Sequence, residues 1–238
     1  MHHNEVEIKY RVGTRIQSLR RQRHIIKGLG FTFRSRRIET DFLPDTVDGA
    51  CKKSGTLLRL RRVSTASQNS LLLTVKRRQQ DKDILFFHES EVDLGQPAKD
   101  TSTRNYIIDT VLSVTGIDIS PALSTPRNLE YLVRRFSELG LSKRRILLDK
   151  YREEYTRDTI AITLDYFPDS MGAYVEVEAA SRDALIAVMN ELPYHEKQIV
   201  TDDYGDILKA HKSTLSENDQ RTAVFTKKRR TVLLEEKG

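Results

Sequence analysis

Charged and apolar residues alternate strictly in the segment Glu5-Val6-Glu7-Ile8-Lys9, close to the N-terminus. Successive side chains of a β-strand point to opposite faces, so the two carboxylates and the ammonium would share one face, opposite Val6, Ile8 and Tyr10. Charge on a face that should be core is costly unless a metal, an opposite charge or water compensates it. The segment therefore predicts a strand with a functional face, and a solvated edge strand is the alternative.

The same alternation recurs along the chain, which favours a functional face. Arg59 and Arg61 share one face of a predicted strand, and Leu58 and Leu60 share the other. Charged side chains in later segments of this kind are Lys76, Glu89, Glu91, Lys143, Arg145, Asp165, Glu176 and Glu178. Strands with one charged and one aliphatic face either open the charged face to solvent or close around it.

Closure of the sheet is the arrangement that we predict. An antiparallel barrel places the charged side chains in a wet interior, removes the exposed sheet edges and lets helices cover the aliphatic outside. Helical periodicity is found at residues 14–29, 101–114, 127–139, 181–192 and 203–212. The predicted fold class is therefore α+β, a closed antiparallel β-barrel with helices packed on its outside.

We expect one domain over residues 1–212, because no repeat or long linker divides them. The basic tail, residues 213–238, carries the run Lys227-Lys228-Arg229-Arg230 between two short apolar segments, 222–225 and 231–234. Each apolar segment could add a strand, but the charges between them break the alternation. We therefore prefer a mobile tail or an electrostatic funnel for polyanions over a packed tail.

The order and spacing of the charged residues resemble the CYTH superfamily, also called the triphosphate tunnel metalloenzymes. The resemblance runs from about residue 4 to about residue 210. It is carried by Glu5-x-Glu7-x-Lys9, Arg59-x-Arg61, Lys76, Glu89-x-Glu91, Lys143-x-Arg145, Asp165 and Glu176-x-Glu178. Its last part, from Asp203 to Leu208, is similar to the closing Tyr-x-Asp-Leu segment of the family. The resemblance implies an eight-stranded antiparallel tunnel that binds a triphosphate together with divalent metal ions.

A metal-dependent triphosphatase is the function that the resemblance implies, with tripolyphosphate, thiamine triphosphate or a nucleoside triphosphate as substrate. Basic side chains would neutralise the phosphate oxygens, and carboxylates would hold Mg²⁺ or Mn²⁺. The expected triphosphate-binding residues are Lys9, Arg59, Arg61, Lys76, Lys143 and Arg145. The expected metal ligands are Glu5, Glu7, Asp165, Glu176 and Glu178, and Glu89 and Glu91 would either bind metal or orient the basic residues.

Lys9 and Lys143 are the expected catalytic residues. A water that attacks the terminal phosphate must lose a proton, and a lysine surrounded by other cations is deprotonated more easily than an isolated one. Such a lysine could act as the base. Activation of the water by the metal ions is the alternative.

Two other functions stay open. A class IV adenylate cyclase would form cyclic AMP and pyrophosphate from ATP, but the sequence shows no base-recognition pocket. A non-catalytic protein that binds polyphosphate or RNA is the other, because 40 Lys and Arg against 34 Asp and Glu give a formal net charge of +6. Few aromatic residues interleave with the basic clusters, which weakens the case for RNA.

Cysteine content and hydropathy indicate the cellular setting. The single cysteine, Cys51, excludes an internal disulfide and suits a reducing compartment. No apolar run approaches the length that spans a bilayer, and the N-terminus lacks the hydrophobic region of a signal peptide. We expect a soluble, cytoplasmic protein without a membrane partner. The oligomeric state stays open, a homodimer included.

Overall fold

Nine strands and eight helices make up the computed structural model, which describes residues 2–79, 85–96, 100–125, 128–141, 146–216 and 219–235. The strands are β1 (His2–Gly13), β2 (Thr32–Leu43), β3 (Thr56–Ser64), β4 (Asn69–Gln79), β5 (Leu85–Asp93), β6 (Ile146–Arg157), β7 (Ile160–Phe167), β8 (Gly172–Ala179) and β9 (Thr222–Ala223). The helices are α1 (Ser18–Gly28), α2 (Ala50–Lys53), α3 (Thr101–Thr115), α4 (Ser120–Leu123), α5 (Leu129–Glu138), α6 (Arg182–Glu191), α7 (Tyr204–His211) and α8 (Lys227–Glu235).

The strands pair in the order β2-β3-β4-β5-β1-β8-β7-β6, and β2 also pairs with β6, so that eight strands close into a barrel. The pairs β1–β8, β3–β4, β6–β7 and β7–β8 are antiparallel. The short strand β9 adds to β6. The predicted α+β fold, a closed antiparallel eight-stranded barrel with helices on its outside, is confirmed.

Residue contacts divide the chain into two compact units. The first unit consists of Met1–His3, Thr40–Gln79 and Phe87–Leu148. The second unit consists of Asn4–Glu39, Gln80–Phe86 and Asp149–Gly238. Each unit has a hydrophobic core of its own.

In the second unit, the aliphatic faces of β1, β7 and β8 pack under helices. Ile8, Ile162 and Val175 are buried together with Leu19 of α1 and Leu185 of α6. Because side chains alternate along a strand, the neighbours of these residues lie on the opposite, inner face of the sheet. Glu7 and Lys9 of β1 and Glu176 and Glu178 of β8 are therefore directed inwards.

The first unit repeats this arrangement with other helices. Leu58 and Leu60 of β3 and Leu73 of β4 are buried together with Ile107 of α3 and Leu132 of α5. The opposite face of these strands carries Arg59, Arg61 and Lys76. The alternation read from the sequence thus assigns the aliphatic side chains of these two strands to the correct face.

The five predicted helices correspond to α1, α3, α5, α6 and α7. Four of them begin at side chains that accept a hydrogen bond from a backbone N–H of the first turn, namely Asp100, Asn128, Ser181 and Asp203. Helix α1 begins later than residue 14, after Gln17, which makes no such bond. Helix α4 is not predicted by the periodicity. No helix within the described ranges is long and apolar enough to cross a membrane.

The tail is packed in the structure, which does not fit the expected mobile tail, whereas the electrostatic funnel stays a prediction. The segment 222–225 contributes β9, whereas the segment 231–234 belongs to helix α8 and not to a strand. Leu233 of α8 is buried in the core of the second unit. The backbone N–H of Phe225 donates to Asp149 at 2.8 Å, which ties the tail to β6.

Candidate active site

Acidic and basic side chains face each other across β1 and β8 in the second unit. The register places Glu7 opposite Glu178 and Lys9 opposite Glu176. Residues that are directly opposite have Cβ atoms about 4.5–5.5 Å apart, so each pair is in reach on the inner face. Lys9 Nζ lies 3.6 Å from Glu176 Oε1, and both side chains are buried.

The guanidinium of Arg152, on β6, lies among three carboxylates of this face. Its Nε and Nη2 donate to the two oxygens of Asp165 at 2.7 and 2.6 Å. Its Nη2 also donates to Glu176, and its Nη1 is 3.8 Å from Glu178. Burial acts to lower the pKa of Arg152, but the charges of Asp165, Glu39 and Glu176 outweigh it and raise the pKa well above the ordinary value. Arg152 is therefore a permanent cation among the acidic residues.

Tyr204, the first residue of α7, contacts the same group. Its hydroxyl donates to Asp165 Oδ2 at 3.1 Å. Its ring lies 4.1 Å from Lys9 Nζ and 5.5 Å from Lys150 Nζ, both within the range of a cation–π contact. Burial, and then the charges of Glu176 and Asp165, raise the pKa of Tyr204 well above its ordinary value. The hydroxyl therefore remains a proton donor at neutral pH.

Lys150 connects β6 to β2 within this unit. Its Nζ lies 3.2 Å from Glu39 Oε2 and 3.6 Å from Asp165 Oδ2. Glu39 also accepts from Arg37 Nε at 2.7 Å. Asp165 thus has cationic or hydroxyl partners on three sides, namely Arg152, Lys150 and Tyr204.

In the first unit, two carboxylates of β5 hold the basic side chains of β3 and β4. Arg59 Nη2 lies 3.2 Å from Glu89 Oε1 and 3.5 Å from Glu91 Oε2. Lys76 Nζ lies 3.3 Å from Glu89 Oε2. Thr74 donates its hydroxyl to Glu91 at 2.8 Å. Glu89 therefore bridges two cations, which fits an orienting role for this carboxylate.

A second guanidinium of the first unit is held by a two-point contact. Arg61 Nε and Nη2 donate to the two oxygens of Asp41 at 2.6 and 2.7 Å. Such a planar fork fixes both the position and the orientation of the guanidinium. Lysine at this position could keep the charge but not the fork.

The structure brings most of the predicted site residues together in two groups. The second unit contains Glu7, Lys9, Asp165, Glu176 and Glu178, and the first contains Arg59, Arg61, Lys76, Glu89 and Glu91. Lys143 and Arg145 lie outside the described residues, and so does the side chain of Glu5. Lys150 and Arg152 are missed by the sequence interpretation, which also gives no role to Glu39 or Tyr204. The spacing Lys150-x-Arg152, two residues apart on one strand face, is the signal that could have identified them.

The carboxylates of the second unit suit a hard divalent cation. Glu7 and Glu178 are like charges directly opposite each other, which destabilises a sheet unless a cation compensates them. On the other side, Glu178 is opposite Ala161, and Arg152 Nη1 lies 3.8 Å from its carboxylate. Carboxylate oxygens are the ligands that Mg²⁺ and Mn²⁺ prefer. In the part of the chain that the structure describes, no three Asp, Glu, His or Cys side chains form a ready metal cluster, so the fit is one of donor type and charge.

A family model described as the CYTH domain matches residues 3–197 of the chain. No curated protein matches it in sequence. The chain is similar in structure to the PH1819 protein of Pyrococcus horikoshii OT3, with 18% identity, a TM-score of 0.60, and coverage of 87% of this chain and 99% of that one.

Two other solved structures are similar. A candidate adenylate cyclase of Vibrio parahaemolyticus has 17% identity and a TM-score of 0.56, covering 87% of this chain and 98% of that one. The third is HpAC1 of Hippeastrum, which is described as a candidate adenylyl cyclase with a dominant triphosphatase activity. It has 15% identity and a TM-score of 0.51, and the match covers 90% of this chain and 98% of that one. At these identities the likeness shows a shared fold.

Proposed function

The chain belongs to the CYTH domain family, and on this premise we propose that it is a metal-dependent triphosphatase that hydrolyses an inorganic or organic triphosphate. The observation that carries the proposal is the register of β1 and β8, which sets Glu7 against Glu178 and Lys9 against Glu176. A carboxylate pair beside a buried ammonium supplies both a cation site and a phosphate contact on one sheet face.

Phosphate binding is assigned to the basic side chains. Arg61 would present its remaining N–H groups to a phosphate, because Asp41 fixes the plane of its guanidinium. Arg59 and Lys76 would do the same from their contacts with Glu89. The other residues assigned to the triphosphate are Lys9, Lys150, Arg152, and the predicted Lys143 and Arg145.

Metal binding is assigned to Glu7, Glu176 and Glu178, with the predicted Glu5 as a further ligand. A bound Mg²⁺ or Mn²⁺ would stabilise the charge that develops on the phosphate oxygens. Asp165 is a predicted metal ligand whose contacts favour another role. Because both its oxygens accept from Arg152 and one also accepts from Tyr204, we assign it to positioning Arg152. Glu89 and Glu91 are assigned to orienting Arg59 and Lys76.

Proton transfer is assigned to Lys9, with the predicted Lys143 as the second candidate. The Nζ of Lys9 is held by the carbonyl of Asp202 at 3.2 Å, by Glu176 and by the ring of Tyr204. These contacts fix the ammonium so that it can donate to a phosphate oxygen. They are made with a carboxylate, a carbonyl and an aromatic ring, whereas a base would need the surrounding cations that the sequence interpretation assumed, so the role of Lys9 as the base stays a prediction.

An adenylate cyclase is the second candidate, because the Vibrio parahaemolyticus protein that shares the fold carries that description. The same basic residues would bind the triphosphate of ATP, and the products would be cyclic AMP and pyrophosphate. Non-catalytic binding of polyphosphate or RNA would yield no product.

Product identity tests the proposal. Purified protein is incubated with tripolyphosphate, thiamine triphosphate or ATP, each with Mg²⁺ or Mn²⁺, and orthophosphate, pyrophosphate and cyclic AMP are separated. Orthophosphate from at least one substrate is the expected result. Cyclic AMP with pyrophosphate would replace the proposal by the cyclase, and binding without any product would exclude both enzymes.

A further inference from the structure

Within the part of the chain that the structure describes, one buried hydroxyl on the inner face of the second unit has no hydrogen-bond partner. Thr163 of β7 is 2% exposed, and its Oγ1 has no hydrogen-bond partner among the residues that the structure describes. Its neighbours Ile162 and Leu164 are buried in the apolar core, so the alternation of the strand directs Thr163 inwards. A buried hydroxyl without a hydrogen bond costs free energy and therefore needs an explanation.

Carboxylates flank this hydroxyl on both neighbouring strands. Glu176 of β8 and Glu154 of β6 are directly opposite Thr163. Glu176 contacts Lys9 at 3.6 Å and accepts a hydrogen bond from Arg152, and Glu154 contacts Arg37 at 2.5 Å. The hydroxyl thus lies between two anionic groups and bonds to neither.

We propose that Thr163 Oγ1 accepts a hydrogen bond from a water molecule of a hydrated divalent cation held by Glu176 and Glu178. This inference rests on the proposed function. Mg²⁺ dehydrates reluctantly and keeps several waters when it is bound, and each water is an O–H donor. A hydrated cation would compete with Lys9 and Arg152 for Glu176, and its waters would present O–H groups to Thr163.

The small residue Ala161 lies on the same strand face as Thr163. It is two residues from Thr163 and directly opposite Glu178, so that β7 places only a methyl group beside this carboxylate. Thr163 and Glu178 are diagonal neighbours in the antiparallel pair, about 7–8 Å apart, a separation that a cation and one of its waters would span.

A matched control exists in the first unit. Thr56 of β3 is 4% exposed, and its Oγ1 also has no hydrogen-bond partner within the described residues. Thr56 shares a strand face with Leu58 and Leu60, which are buried under helices. Thr56→Val therefore removes an equivalent buried hydroxyl that does not face the charged residues.

The test measures Mn²⁺ binding by electron paramagnetic resonance without any phosphate, for wild type, Thr163→Val, Thr163→Ser and Thr56→Val. Loss of an outer hydrogen bond to a metal site typically costs about 10-fold to 100-fold in affinity, so Thr163→Val is expected to weaken Mn²⁺ binding by about 10-fold or more. Thr163→Ser and Thr56→Val should bind Mn²⁺ like wild type. In the metal-free protein, both valine variants should melt no lower than wild type, because each removes an unpaired buried hydroxyl.

Equal Mn²⁺ affinity of wild type and Thr163→Val would overturn the inference and leave the proposed function standing. A clearly lower melting temperature of metal-free Thr163→Val would also overturn it, because the hydroxyl would then have a partner inside the protein. A wild-type protein that binds no Mn²⁺ would contradict the proposed function itself.

Discussion

The Arg152 guanidinium contacts carboxylates on two other strands, Asp165 on β7 and Glu176 and Glu178 on β8. The contacts with Asp165 and Glu176 are charge-assisted hydrogen bonds in a buried setting, where such bonds are strongest. Arg152 therefore both positions the acidic residues and offers a cation to a phosphate. A planar five-donor group is needed for this, and lysine would contact only part of the set.

Arg152→Lys should accordingly reduce kcat/KM for the triphosphate by about 10-fold to 100-fold, because hydrogen bonds to charged groups contribute about 1.5–3 kcal/mol each. Arg157→Lys is the matched control. Arg157 forms a similar fork on the same strand, with Glu191 at 2.8 and 2.9 Å, but these two side chains are 28% and 39% exposed. In steady-state kinetics, the kcat/KM of the control should stay within about twofold of the wild-type value, since exposed ion pairs contribute little. Equal losses in both variants would argue against a special role for Arg152.

At the scale of elements, helix α1 is held to β6 by one buried carboxylate. Glu153 accepts from Arg23 of α1 at distances from 2.6 to 3.1 Å and from the hydroxyl of Tyr155 at 3.0 Å. Burial acts to raise the pKa of Glu153, but the hydrogen bonds from Arg23 and the tyrosines outweigh it, and the pKa is lowered. The carboxylate is thus bound more strongly in its charged form.

This pKa shift predicts how stability depends on pH. A lowered folded-state pKa contributes stability that is present above the unfolded-state pKa, about 4.3, and is lost as pH falls through the folded-state value. Glu153→Gln should therefore lower the free energy of unfolding by about 1–3 kcal/mol at neutral pH and flatten its decline below about pH 4.5. Urea unfolding between pH 3 and pH 7, roughly the range over which carboxylates titrate, measures both effects. Glu130→Gln, at an exposed carboxylate, should have the wild-type free energy of unfolding at each pH. If the free energy of unfolding of Glu153→Gln falls with pH as it does in wild type, Glu153 does not have the predicted role.

Helix α8 is fastened to β6 by a second buried carboxylate. Asp149 accepts from the backbone N–H of Phe225 at 2.8 Å and from Arg230 Nη2 at 2.9 Å. Arg230→Ala should lower the free energy of unfolding by about 1–3 kcal/mol, because it leaves a buried charge with fewer partners. Lys228→Ala, at an exposed position of the same basic run, should have little effect on the melting temperature. If both variants have the wild-type melting temperature, the contact of Arg230 with Asp149 does not hold the tail.

For the whole molecule, the sequence predicts the barrel because strands such as β8 keep charge strictly on one face. Strand β6 does not follow this pattern, because Asp149 and Glu153 carry charge on the face opposite Lys150 and Arg152. The partners that make those outward charges tolerable, Arg23 of α1 and Arg230 of α8, come from distant parts of the chain. Alternation along one strand cannot reveal such partners.

The tail is missed for a similar reason. An apolar run as short as residues 231–234 fits a strand or a helix equally well, and only its burial against the core decides between them. Local pattern thus predicts the faces of strands well. It predicts poorly those positions whose charge is compensated by another element.

Metal-dependent hydrolysis by the carboxylate pair is best tested by titrating Mn²⁺ into metal-free protein and measuring orthophosphate release from tripolyphosphate. Wild type, Glu178→Gln and the control Glu130→Gln are compared. Glu178→Gln keeps the shape of the side chain and removes one charge of the pair with Glu7. The metal-dependent mechanism predicts no turnover by wild type in EDTA and saturable activation by Mn²⁺. It also predicts turnover lowered by at least about 100-fold in Glu178→Gln and unchanged turnover in Glu130→Gln. Activity of wild type in EDTA, or near-wild-type turnover of Glu178→Gln, would contradict it.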